Sequence, residues 1–150
     1  MTKTPARHRL YTNRWLASFA ILGSYFLLTL FGQAALGNRI PLTPAVEQLL
    51  AEWAEETERP FSVSRGESHW FQEMDSGRSC TSCHTNSLDV RGRHQKTGKL
   101  IEPMARSVNP NRLTDRKKIN KWFLRNCKWT YGRICTTEEK GDILLWLSDQ

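Results

Sequence analysis

The apolar positions of this chain fall into one continuous block and several periodic ones. Trp15 to Phe31 runs for 17 residues without a charged side chain, and Lys3, Arg7, Arg9 and Arg14 precede it with no acid among them. A basic flank before such a run is an export signal, and its length is the short end of what a membrane-spanning helix needs. Residues 1–37 are therefore read as a signal peptide cleaved after Ala35-Leu36-Gly37, or as a retained signal anchor helix in the inner membrane. Residues 38–150 then form one domain in the periplasm. Within it, Thr43-Pro44 starts a helix over about 44–57, with Val46, Leu49, Leu50 and Trp53 on one face. Ser64-Arg65-Gly66-Glu67 reads as a capping box for a helix over 65–74. Thr114 caps a third over 115–126, with Ile119, Trp122 and Phe123 on one side. Thr136-Thr137-Glu138-Glu139 opens the last, reaching Ser148 with Ile143, Leu144, Trp146 and Leu147. Residues 85–113 show no apolar periodicity and no clear strand. The fold class is all-α, and a loop that long needs something else to order it.

Chemistry enters at Cys80-Thr81-Ser82-Cys83-His84. Two cysteines three apart on a tight turn, followed at once by histidine, form the C-x-x-C-H pattern of covalent c-type haem attachment. Cys80 and Cys83 would add to the haem vinyl groups and His84 would be carried under the iron as proximal ligand. The same three side chains with a fourth ligand would instead hold zinc in a small binding module, a reading that export disfavours. The other two cysteines, Cys127 and Cys135, are eight residues apart and in an oxidising compartment should form a disulfide.

Charge adds an asymmetry. The chain carries +7, of which residues 38–150 keep +3; residues 38–75 carry −5 and residues 76–150 carry +8. A basic surface around a haem edge attracts an acidic redox partner, although it also fits an ordinary solvated surface. Nucleic acid is disfavoured by the compartment.

Gly66-x-x-x-Trp70, then C-x-x-C-H, then a terminal apolar helix resembles the class I cytochrome c plan, in which a glycine lets the first and last helices cross closely. The other face of the iron decides between electron carriage and access for small molecules. Met104, in Glu102-Pro103-Met104-Ala105, looks like the Met loop of a low-spin electron carrier; His69 and His94 are read as packing or surface residues. Asn126, read from the residues alone, is a helix cap. Trp122, one turn before it, either roofs the haem pocket or is plain core.

The run CTSCH, then TGKLIEP, NPNRLTDRKKINKWFLRNCKWTYGRIC and EEKGDILLWL, resembles the sphaeroides haem protein family (DUF1924) from about Arg65 to the C-terminus. The resemblance implies a class I cytochrome c fold with one covalent haem c, His84 and Asn126 as axial ligands, and a Cys127–Cys135 disulfide. It also implies that Asn126 leaves the iron on reduction, so that ferrous haem binds oxygen or nitric oxide, with a dihaem cytochrome c as electron donor. Such a protein transfers electrons and binds ligands rather than serving as a dedicated enzyme. An amide oxygen is a hard donor, tolerable for ferric iron and poor for the softer ferrous state, which agrees with that implication.

Overall fold

The computed structural model describes residues 40–150; the export segment expected at 1–37 lies outside them. Helix α1 spans Pro44–Ala54, with the Thr43 hydroxyl accepting from Val46 N–H at 3.2 Å. It ends short of residue 57 because Glu56 N–H turns back to Trp53 O and Thr57 N–H to Ala54 O, a spacing too tight for an α-helix. Helix α2 spans Val63–Phe71, and its cap is Ser62 rather than Ser64. Ser62 Oγ accepts from Arg65 N–H at 3.4 Å while its own N–H donates to Asp142 Oδ1 at 2.7 Å, a tertiary anchor that local sequence cannot show.

A short helix α3, Thr81–His84, carries the attachment pattern. The stretch read as strandless contains a small antiparallel ladder, β1 Gly92–Arg93 against β2 Leu100–Ile101, pairing Gly92 with Ile101 and Arg93 with Leu100. Helix α4 spans Arg116–Thr130 and is capped by Asp115, whose carboxylate accepts from Lys118 N–H at 3.0 Å; Thr114 instead donates to Asn111 O. It runs four residues past Asn126 and stops before Gly132, which takes φ +70°. Helix α5 spans Thr137–Ser148 and opens on the expected capping box, Thr136 and Glu139 exchanging hydrogen bonds of 3.1 and 2.8 Å.

The framework is the crossing of α2 and α5. A Cβ on Gly66 would lie 2.6 Å from the Asp142 carbonyl carbon and 2.7 Å from Trp146 Cβ, so only glycine permits this approach. Beside the crossing the Asp142 carboxylate, fully buried, accepts from Arg65 Nε at 2.7 Å and Nη2 at 2.9 Å as well as from Ser62 N–H. A buried charge is tolerable only when bonded in this way. Two apolar clusters flank the crossing. One joins α1 to α4 and α5 through Leu49, Trp53, Ile119 and Leu144; the other gathers Trp70, Leu88, Ala105, Ile143, Trp146 and Leu147. Phe123 and Leu113 pack against both. Among the described residues, no helix is long and apolar enough to cross a membrane.

Candidate haem site

Cys80 N-caps α3, Cys83 and His84 lie in its last turn, and both cysteines are free thiols on one turn of chain. Burial pushes the Cys80 thiol up to about 12, against the opposing hydrogen bond from Thr130. His84 is pushed down to about 4 by burial and, secondarily, by the Arg112 guanidinium. It is therefore a neutral imidazole at physiological pH, the form that ligates a metal. Its Nδ1 is buried without a hydrogen-bond partner, as is Trp70 Nε1. The two rings lie 5.1 Å apart, and Trp70 continues to Trp146 at 5.5 Å. The α2/α5 crossing thus delivers the Trp70 ring onto His84.

Helix α4 carries the other candidates. Trp122 is 48% exposed, with Lys121 and Arg125 over its ring at 5.6 and 5.7 Å, so it is not part of the core. Asn126, one turn on, is also exposed, within the helix rather than at its end. Cys127 is buried and bonded to Cys135, with Cα atoms 5.5 Å apart. The far end of α4 is fastened to the segment before Cys80 and to α2. Arg78 stacks over Trp129 at 5.0 Å and donates to Trp129 O at 3.1 Å, and Tyr131 Oη donates to His69 O at 2.8 Å.

Met104 lies elsewhere. Its N–H donates to Leu88 O at 2.8 Å, and its side chain packs against the cluster of Trp70 and Leu88. Its loop is held by Asn109 Nδ2 and Arg112 Nε, which donate to Pro103 O at 3.0 and 2.8 Å. His94 Nδ1 accepts from Thr97 N–H at 3.1 Å, and His69 Nε2 lies 3.8 Å from Asp142 Oδ2. Neither joins Cys80, Cys83 and His84, and among the described residues no three His, Cys, Asp or Glu side chains converge to hold a metal ion by themselves. Among the described residues the zinc reading therefore lacks a converging set of ligands. Sequence reasoning missed Asp142, hidden in a polar Glu-Glu-Lys-Gly-Asp run that opens α5, and Arg112, which no local pattern distinguishes from its basic neighbours.

Residues 56–147 match the family described as a domain of unknown function, DUF1924. The cytochrome c-type protein SHP of Cereibacter sphaeroides is 36% identical over 125 residues, covering 81% of this chain and 92% of its own. Cytochrome c'' of Methylophilus methylotrophus is 38% identical over 68 residues, 45% of this chain and 47% of its own. The structure of oxidised SHP, an oxygen-binding cytochrome c, matches with a TM-score of 0.66 at 36% identity, over 73% of this chain and all of that one. Oxidised cytochrome c'' matches with a TM-score of 0.57 at 29% identity, over 69% of this chain and 92% of its own. A c-type haem fits the residues present: two free thiols on one turn, a buried histidine nitrogen lacking a partner, and an apolar cluster beside them. In pattern, fold and relatives alike the chain belongs to the DUF1924 family, the sphaeroides haem proteins, and is a c-type cytochrome with one covalently bound haem c.

Proposed function

We propose that this cytochrome is exported to the periplasm and that its haem is ligated by His84 on one face and, in the oxidised protein, by the Asn126 amide oxygen on the other. When bound, the haem supplies an iron that changes oxidation state and in its ferrous form takes a diatomic ligand, oxygen or nitric oxide. His84 provides the fixed imidazole. Asn126 would provide a hard oxygen donor, one that suits ferric iron and holds the softer ferrous state poorly. Trp122, one turn away, limits what enters. The Cys127–Cys135 bridge, which an oxidising compartment maintains, holds the backbone next to Asn126 still while the side chain moves.

The observation that carries this reading is the placement of Met104, the rival sixth ligand. Its main chain is bonded to Leu88, four residues after His84, and its side chain packs against the apolar cluster that contains Leu88 and Trp70. A thioether packed in that cluster serves as a core side chain, whereas Asn126 stands exposed on α4, open to a ligand. SHP, the relative matching most of this chain, is an oxygen-binding cytochrome c, which agrees. The basic half of the domain supports delivery of electrons by an acidic partner, a dihaem cytochrome c in this reading. Visible and magnetic circular dichroism spectra of the purified protein in both oxidation states test it. A ferric six-coordinate site with an oxygen donor, a ferrous five-coordinate site and prompt binding of added nitric oxide are expected. A low-spin ferrous spectrum that resists nitric oxide would return the protein to the electron carriers.

A further inference from the structure

We infer that the hairpin around β1 and β2 is a clasp that keeps His84 on the iron while the opposite ligand exchanges, with Gly92 and Thr85 as its positioning residues. Thr85, directly after His84, sits at φ 65°, ψ 177°, a conformation open to glycine and costly for a β-branched side chain. Such a residue persists only where its surroundings over-determine it. Here Thr85 N–H donates to Thr81 O at 2.9 Å, its hydroxyl donates to Ser87 O at 2.8 Å, and Ser87 N–H returns to that hydroxyl at 3.3 Å. From the other side the hairpin presses on the same turn. Gly92 is buried, and a Cβ there would overlap the Cys83 carbonyl and lie 3.0 Å from His84 Cα. Three residues on, Gln95 N–H points at Cys83 Sγ, 3.4 Å away. With the Trp70 ring 5.1 Å from the imidazole, His84 is restrained through its backbone on both sides and through its ring.

The division of labour follows. Asn126 stands exposed on its helix, whereas His84 is held by strain, close backbone contact and ring packing. When a strong diatomic ligand binds, the bond that weakens on the far side is the one to His84, and a clasped histidine stays where a free one would leave. This inference rests on His84 being the proximal ligand. The test uses the haem-loaded protein, nitric oxide as probe, and the electron paramagnetic resonance of the ferrous adduct, in which a bound His84 adds coupling from a second nitrogen. The wild-type adduct should show that coupling. Gly92→Ala and Thr85→Gly should each raise the fraction lacking it at least five-fold, and Thr85→Gly should do so with an unchanged or higher unfolding midpoint, which a merely structural role would not produce. If Gly92→Ala does not fold, Thr85→Gly alone decides. Second-nitrogen coupling that survives the substitutions overturns the clasp and leaves His84 as ligand. A wild-type adduct without it also overturns the clasp, and a ferrous spectrum before nitric oxide that His84→Gly leaves unchanged overturns the ligand assignment as well.

Discussion

Replacing Gly66 with alanine tests the helix crossing on which the haem site is built. The added methyl would sit 2.6 Å from the Asp142 carbonyl carbon and 2.7 Å from Trp146 Cβ, against about 3.5–4.0 Å for an unstrained carbon pair. Backbone and Cβ atoms cannot rotate away, so α2 and α5 must part by about 1 Å. Overpacking of this kind costs about 1–3 kcal/mol, and here it also stretches the bonds from Arg65 and Ser62 to Asp142. Alanine regains about 1 kcal/mol of helix propensity over glycine. A net loss of about 2 kcal/mol follows from the upper end of that range, a fall of roughly 9 °C in Tm for a domain of this size. Guanidinium unfolding of the haem-loaded protein, followed by far-ultraviolet circular dichroism, measures it as a lower midpoint at unchanged slope. Gly98→Ala is the comparison. Nothing lies near its Cβ, so its φ of +69° alone should cost about 1 kcal/mol. A Gly66→Ala protein within about 0.5 kcal/mol of wild type, or no worse than Gly98→Ala, would refute the close crossing.

Asp142→Asn keeps the shape of the buried carboxylate but weakens its bonds to Arg65, and should cost about 2 kcal/mol in the same unfolding assay; a loss below about 0.5 kcal/mol would make the cluster incidental. The Glu139 carboxyl is held below its usual range, first by its hydrogen bonds to Arg133, so its contribution is present above the ordinary carboxylate pKa and fades as pH falls through the lowered folded value. Arg133→Gln should therefore flatten the acid limb of a stability-against-pH series, and an unchanged limb counts against the pairing. Removing the bridge with Cys127→Ser plus Cys135→Ser should cost about 2.6 kcal/mol by the loop-entropy argument, and non-reducing peptide mapping of the wild type should recover the linked pair with no free thiol at Cys127.

What was legible in the sequence was local. C-x-x-C-H, Thr43-Pro44 and the Thr136 capping box each complete their pattern within a few residues; the two helix starts stand in the structure as read, and C-x-x-C-H lies on one turn of helix. The start of α2 was not, because Ser62 and Ser64 both precede the apolar face and the choice is made by Asp142, eighty residues away. The end of α4 was misjudged although Gly132 signalled it: Asn126 has cap chemistry, yet nothing in Cys127 to Thr130 breaks a helix. Two-residue strands leave no alternation to detect, so the hairpin against His84 was invisible, and with it the roles of Gly92 and Thr85. Gly66 and Trp70 were legible as a spacing, but only the packing shows that Trp70 reaches from the crossing to His84.

The most direct measurement of the central claim is the ferric spectrum, optical and electron paramagnetic, of Asn126→Ala beside Met104→Ala. The Asn126 variant should open the ferric site, shift it toward a water-bound or five-coordinate high-spin form and bind added ligands faster, with its fold intact, while the Met104 variant keeps the wild-type spectrum. A ferric spectrum unmoved by Asn126→Ala and altered by Met104→Ala would contradict the account and make the protein a His/Met electron carrier.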